Sequence, residues 1–358
     1  MTSVENNPYH RTDFFYSLIS NCHDFLKPFF GTSGTPLILT SSGTGAMEAA
    51  MVNLTDPEDK VLMIHAGRFG ERWAEMAMSY GCQTVRLDIP WGQVPDPDDL
   101  VKVLAKEKAF KAVFFHGVET STGVYFPVAE LTKVIRANSD ALVVVDAVSS
   151  LVCHEMNMDD WGVDCVVAAS QKGFGTAPGL SFISLSERAW QRLSKRPRFY
   201  FDLRTEKKEQ SEGKTAWTPG TQLVLSLHSS LQTLLAIGRP NLYDFHARIT
   251  EGVRAALRAM GLELYVPQDY AHSVTPFKVP QSIRAGDLNK ELVNKYNMIF
   301  AGGQNQLQGK VLRIAHIGFV DPFDIHAALA GLELSLKTHG IDVVGKGSGE
   351  FLRSAAFA

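Results

Sequence analysis

From about residue 37 the chain alternates short, wholly apolar runs with longer runs whose apolar positions return every three or four residues. The first kind reads as buried strands and the second as amphipathic helices. "PLILT" (36–40) is strand-like and "GAMEAAMVNL" (45–54) helical, and "KVLMIHA" (60–66) and "GERWAEMAMSYG" (70–81) repeat the pair. The series continues through the strand "QTVRLDI", the helix "PDDLVKVLAKE", the strand "KAVFFHG" and the helix "VAELTKVIRAN". Two further strands follow, "ALVVVDAV" and "VDCVVAAS". Strands that are apolar throughout, rather than at every second position, predict an α/β fold whose mostly parallel sheet carries helices on both faces.

The pattern changes near "AIGRP" (236–240). A long amphipathic helix, "NLYDFHARITEGVRAALRAMG", leads into "HSVTPFKVP", "AGDLNKELVNKYN", "KVLRIAHIG" and a last helix in "DPFDIHAALAGLELSLKTHG". This suits a small α+β domain. The expected organisation is an N-terminal segment (1–30), a large domain (31–238) and a small C-terminal domain (239–358). The tail "GKGSGEFLRSAAFA" either docks or frays.

Composition narrows the class without changing this picture. The 358 residues are 45% hydrophobic and 20% charged, with a net charge of −3, ordinary values for a globular protein with a sizeable core. Nothing in that balance points to nucleic acid or to a polybasic membrane surface. The densest charge run, "RTEKKEQSEGK" (204–214), reads as an exposed loop. Cys22, Cys82, Cys153 and Cys165 show neither C-x-x-C spacing nor a histidine at metal-ligand spacing. They predict buried, reduced thiols, no metal site and a cytoplasmic setting. The start "MTSVENNPYHRTDFF" lacks a basic-then-apolar leader, and no apolar run is long enough to span a bilayer.

Three features carry candidate chemistry. In "TSSGTGAMEAA" (40–50) a strand feeds a turn of Ser42, Gly43 and Thr44 that opens a helix. Such a turn brings backbone N–H groups and the positive end of the helix dipole to an anion, although it is neither a Walker A loop nor a G-x-G-x-x-G. Alone it reads rather as a plain helix cap with a glycine turn. In "VVVDAVSS" (143–150) an apolar strand ends in Asp146, at the edge where open α/β sheets hold ligands. A carboxylate there could keep a heterocyclic nitrogen protonated, or merely cap a helix. In "SQKGF" (170–174) a second buried strand ends in Lys172. A lysine partly withdrawn from water is a better nucleophile and can condense with an aldehyde; alone it reads as a solvated strand end. Together the three offer handles for the phosphate, ring nitrogen and aldehyde of pyridoxal 5'-phosphate.

At this point the chain resembles the class V aminotransferases, the group of alanine–glyoxylate, serine–pyruvate and 2-aminoethylphosphonate–pyruvate transaminases. The resemblance rests on "SSGTGAMEAA", "HAGRFGERW", "HGVETSTGVYFPV", "VVVDAVSSL", "WGVDCVVAASQKGFGTAPGLSFIS", "WTPGTQLVLSL" and "GKVLRIAHIG", in family order from about residue 9 to 335. It implies the aspartate-aminotransferase-like fold (fold type I) and a homodimer with shared active sites. It also implies that Lys172 is the Schiff-base lysine and proton shuttle, that Asp146 pairs with the pyridinium nitrogen, and that Gln171 bonds the phenolic oxygen. Phe69 would stack on the ring, or else belong to the core. Ser42, Gly43 and Thr44 would hold the phosphate, Thr120 would bring a hydroxyl to the cofactor, and Thr218 would reach the neighbouring subunit's phosphate. Arg313 would clamp a substrate carboxylate; an arginine between Leu312 and Ile314 is costly to bury unless it meets an anion or a salt-bridge partner.

The family's N-terminal "PGP"-type piece is missing before "PYHR" (8–11), which leaves His10 and Arg11 as possible substitutes. The implied reaction moves an amino group from a small amino acid to a small 2-oxo acid, of glyoxylate or pyruvate type, by a ping-pong cycle. A 2-aminoethylphosphonate–pyruvate transaminase is the alternative reading. A desulfurase-type lyase is disfavoured, because no cysteine follows Cys165.

Overall fold

The structure is a computed structural model that describes residues 7–354 apart from residue 108. Seven strands form the main sheet in the spatial order Leu37–Leu39, Ser181–Leu185, Cys165–Ala169, Leu142–Asp146, Ala112–His116, Lys60–His65, Gln83–Asp88. All run parallel except Ser181–Leu185, which pairs antiparallel with both of its neighbours. Helices predicted between the strands are present, among them Gly43–Leu54, Arg68–Ser79, Pro97–Lys106 and Val128–Asn138.

The continuous apolarity of these strands has a plain cause. Alternate residues of one strand belong to opposite cores: Leu62, Val143, Val145 and Val166 pack on one face, and Val61, Met63, Val144 and Val167 on the other. Side chains on a strand alternate between faces, so a sheet covered twice has no position left for a polar residue. Gln83–Asp88 lies at the edge, and its burial falls away accordingly.

Two stretches differ from expectation. The charged run read as a loop is helical over Leu203–Gln210, capped by the Asp202 side chain. Its polar residues are not all solvated: Glu206 and Gln210, one turn apart, are buried. The Gln210 amide bonds both backbone groups of Ile38 and meets His23, so it closes the free edge of the strand Leu37–Leu39. The helix Asp13–Phe30, which local pattern leaves unassigned, packs Phe15, Ile19, Leu26 and Phe30 into the core on that side of the sheet.

Beyond Gly238 the chain builds a second, antiparallel sheet in the order Val274–Lys278, Val311–Ala315, Ala301–Gly302. It has its own apolar cluster, drawn from residues 249–351. The tail docks: the helix Lys346–Arg353 lies on Arg239–Ala259 and buries Phe351. The last four residues of "GKGSGEFLRSAAFA" fall outside the described residues. Among the described residues no helix is long and apolar enough to cross a membrane, and Cys22, Cys82, Cys153 and Cys165 are free and buried.

Candidate active site

Adjacent parallel strands deliver the central residues. His116 and Asp146 are register partners at the last positions of their strands. The turn holding Gln171 and Lys172 leaves the next strand, Cys165–Ala169, at the same edge. Gly173 shows why a glycine follows the lysine: a Cβ there would stand 2.2 Å from the Leu151 carbonyl oxygen. The turn is thus clamped against residues 151–152, where Val152 itself adopts a left-handed φ of 76°, a strained conformation for a β-branched residue.

A cavity of about 240 Å³ opens at this edge, lined by Ser42, Gly43, Thr44, Phe69, Thr120, Asp146, Gln171 and Lys172 together with Met47, Arg72, His116, Val118, Val148 and Ser149. Eight of the ten expected site residues therefore meet in one place. At one wall the helix Gly43–Leu54 begins at Ser42 without a side-chain cap; the Gly45 and Ala46 amides turn back to the Ser42 carbonyl, and the amides of Gly43 and Thr44 ahead of them are the ones with donor capacity to spare. Phe69 is half-buried on another wall rather than part of the core. The Thr120 hydroxyl donates to Ser149 Oγ at 2.7 Å.

The charged groups are held in a telling state. Burial pushes the Lys172 amine below its ordinary pKa, and the Arg313 guanidinium adds to this, while Asp146 and Cys153 act the other way. Burial raises the Asp146 carboxyl, against the opposing effects of His116, the Val148 amide and Arg72. Asp146 Oδ1 accepts from the Val148 amide at 2.9 Å, and His116 Nε2 stands 3.6 Å from Oδ2. The His116 ring nitrogens and Gln171 Oε1 are buried without a hydrogen-bond partner. A half-satisfied carboxylate, an unpartnered amide oxygen and a lysine whose pKa burial lowers suit a ligand with a protonated ring nitrogen, a polar ring substituent and an aldehyde. Pyridoxal 5'-phosphate fits that donor set.

The two remaining expected residues are not among those lining this cavity. Arg313 is 8% exposed on the central strand of the small sheet. Its Nη1 donates to the Thr120 carbonyl at 2.8 Å, and Nε and Nη2 both reach the Gly302 carbonyl. No carboxylate lies within ion-pair distance of it among the described residues, so the salt-bridge reading fails. Three of its five N–H groups are engaged, which leaves donors for an anion. Thr218 lines a separate surface cavity with His10, Arg11, Trp217 and Lys214, away from Lys172. Sequence reasoning missed His116, Arg72 and Ser149. For His116 the signal was present, since "KAVFFHG" ends a buried strand in a polar residue just as "VVVDAV" does.

The sequence profile described as Aminotransferase class-V matches residues 1–315. The chain is 36% identical to the "Soluble hydrogenase, small subunit" of a Synechococcus strain, over 95% of this chain and 90% of that protein. It is 37% identical to the serine–glyoxylate aminotransferase of Hyphomicrobium methylovorum, covering 91% and 83% respectively. The ureidoglycine–glyoxylate aminotransferase of Bacillus subtilis superposes with a TM-score of 0.93 at 27% identity, covering 98% of this chain and 93% of that one. The architecture is accordingly that of fold type I, with its mostly parallel sheet. The chain belongs to the class V aminotransferases, and is a transaminase dependent on pyridoxal 5'-phosphate.

Proposed function

We propose that the protein moves the amino group of a small amino acid to a small 2-oxo acid, of the glyoxylate or pyruvate type, in a ping-pong cycle. The observation that carries this reading is the convergence of Lys172, Asp146 and the Ser42–Thr44 turn on one cavity of about 240 Å³. Glyoxylate appears in the names of the Hyphomicrobium and Bacillus relatives, which supports it as acceptor.

When bound, the cofactor supplies an electron sink for the carbanion formed at the substrate carbon. The chain supplies the rest. The Lys172 amine would hold the cofactor through its aldehyde and, once released, could hold and move a proton at its Nζ. Burial lowers its pKa, which shifts the amine towards the neutral form that a nucleophile and base require. Asp146 holds the proton on the ring nitrogen, which relieves its own unfavourable burial. Phe69 would pack on the ring, Gln171 and Thr120 would bond its polar substituents, and Ser42, Gly43 and Thr44 would hold the phosphate. Arg313 takes the substrate carboxylate in each half-reaction with its spare donors.

Three further parts belong to this reading. The division at 238/239 is supported by the separate apolar cluster of residues 249–351. A homodimer would let Thr218, with His10 and Arg11 beside it, complete a neighbouring site. Exposed Phe199 and Tyr200, grouped with Trp217, give such a dimer an aromatic contact surface. A cytoplasmic location is supported by the four free cysteines.

The test is a donor and acceptor screen on cofactor-loaded protein, followed by the change in cofactor absorption. Alanine, serine, aspartate and 2-aminoethylphosphonate would each be paired with glyoxylate and pyruvate. An amino acid with glyoxylate should give the highest kcat/KM. Preference for 2-aminoethylphosphonate would select the alternative transaminase. Lys172→Ala should lose both turnover and borohydride-reducible attachment of the cofactor; a variant that keeps them overturns the assignment of Lys172.

A further inference from the structure

The turn Ser42–Thr44 offers a phosphate only hydroxyls and amides. A phosphate monoester carries a charge of about −1.5 to −2 at pH 7, and burying it beside neutral donors alone is costly. Among the residues lining the cavity, two carry positive charge: Lys172 and Arg72. Lys172 is committed to the aldehyde. Arg72 is committed to no acid.

Its surroundings make that notable. Arg72 Nη1 donates to the Thr44 hydroxyl at 3.1 Å, and its Cζ lies 4.9 Å from the centre of the Phe69 ring. The acidic residues of the same helix are engaged elsewhere. Glu75 and Glu71 both face Arg68, and Glu71 also meets His65 and Asn305. No carboxylate stands within ion-pair distance of Arg72 among the described residues. Its charge nonetheless reaches across the cavity, since it is one of the groups favouring the ionised form of Asp146.

The start of its helix is held with unusual firmness. Arg68–Ser79 begins at Gly67 without a cap of its own. Instead the Ser121 hydroxyl accepts the Arg68 amide at 3.0 Å, and Glu119 Oε2 accepts the amides of Phe69 and Gly70 at 3.1 and 3.0 Å. Glu119 Oε1 in turn accepts from the amide and hydroxyl of Ser121, and Glu119 is fully buried. Only a glycine admits this approach, because a Cβ at residue 67 would stand 2.5 Å from Glu119 and Ser121 atoms. Three successive first-turn amides are thus satisfied from outside the helix. The residues this fixes are Phe69 and, one turn on, Arg72.

We propose that Arg72 is a cofactor-binding residue whose guanidinium supplies the positive charge opposite the cofactor phosphate, with Glu119 and Ser121 as positioning residues; this rests on the cofactor site assigned above. Arginine suits the task, being always charged and presenting several donors in a fixed plane. The cap serves it by removing freedom from the helix turn that carries the side chain.

The test compares two probes on protein stripped of cofactor: pyridoxal 5'-phosphate and pyridoxal, which lacks the phosphate. Arg72→Leu should weaken the first by about 10- to 100-fold, the range for a hydrogen bond to a charged group. Pyridoxal should weaken by less than about 5-fold, the share owed to the lost Phe69 contact. Arg72→Lys should recover part of the phosphate-dependent loss, and Phe69→Leu should weaken both probes alike. Retained pyridoxal binding also certifies that Arg72→Leu is folded. Equal losses for the two probes in Arg72→Leu, or none for either, would overturn the proposal. Wild-type protein that binds neither probe would instead overturn the cofactor site on which it rests.

Discussion

Two buried aspartates mark opposite ends of the main sheet, and they are treated in opposite ways. Asp164 precedes the strand Cys165–Ala169 and is fully buried. It accepts from Arg136 Nη2 at 2.7 Å, Arg188 Nη1 at 2.8 Å, the Val143 amide at 2.8 Å and the Ser186 hydroxyl at 2.8 Å. Asp146 closes the neighbouring strand Leu142–Asp146 and is 5% exposed. Its direct partner is a single amide, with a histidine just beyond hydrogen-bond reach. Both sit in low-dielectric surroundings, so the difference lies in who neutralises the charge. At the N-terminal edge the protein does so itself, and the aspartate ties helix, strand and loop together. At the C-terminal edge the charge is left for a ligand. Ligands in open α/β sheets sit at that edge, and these two residues show the electrostatic reason.

The comparison breaks first at Asp146. Asp146→Asn keeps the shape and the acceptor for Val148 but removes the charge. Turnover should fall about 100-fold or more, as when a preorganised electrostatic partner is lost, while the melting temperature holds or rises because an under-partnered buried charge is gone. Equal loss of stability and activity would show that Asp146 is structural after all. The converse variant, Asp164→Ala, should cost about 3 kcal/mol of stability, at the lower end for breaking a buried pair, since both arginines can reach water. Denaturant titration would measure it, and kcat of the surviving folded protein should be unchanged; a large fall in kcat would erase the contrast.

Arg313 sharpens the comparison by testing a second group left with spare bonding capacity. Arg313→Ala should lower kcat/KM for carboxylate substrates by about 10- to 100-fold, with less effect on cofactor binding. An unchanged kcat/KM would remove it from the site.

A further test concerns polar groups that, like Asp164, are served by the protein. His316 bonds Thr275 through Nε2 at 2.8 Å, and its carbonyl meets His246 Nδ1 at 3.1 Å. Burial pushes His246 down to about 4 and His316 down to about 3. The unfolded chain, with ordinary histidines near 6.5, therefore binds more protons than the folded one between those values. Linkage then gives stability that is full above about pH 6.5 and is lost as pH falls towards 4 and 3. Unfolding free energies measured from pH 7.5 to 5 should decline; a flat profile would contradict the burial of these rings in neutral form.

Much of this was legible in the chain. The helix Val128–Asn138 and the strands Lys60–His65 and Leu142–Asp146 follow the apolar pattern closely, because each buries a periodic face or a continuous core segment. Lys172, Asp146 and the Ser42–Thr44 turn were legible as the ends of such segments. Other parts were not. Leu203–Gln210 looked like a loop because two of its three buried residues are Glu206 and Gln210, whose burial makes sense only once Ile38 is beside them. Arg313 could be read as a salt bridge until its partners proved to be the carbonyls of Thr120 and Gly302.

What the sequence by itself determined is local: which segments are strands or helices, and which polar residues close a buried strand. Periodicity and burial depend on neighbours along the chain, so they are written there. What only the tertiary structure decided is company. That Lys172 stands near Asp146 without being neutralised by it, that Arg72 has no acid within ion-pair distance among the described residues, and that Glu119 caps a helix some fifty residues upstream all depend on distances between segments far apart in the chain. Electrostatic character follows those distances, and the strand order, with its one antiparallel member, sets them.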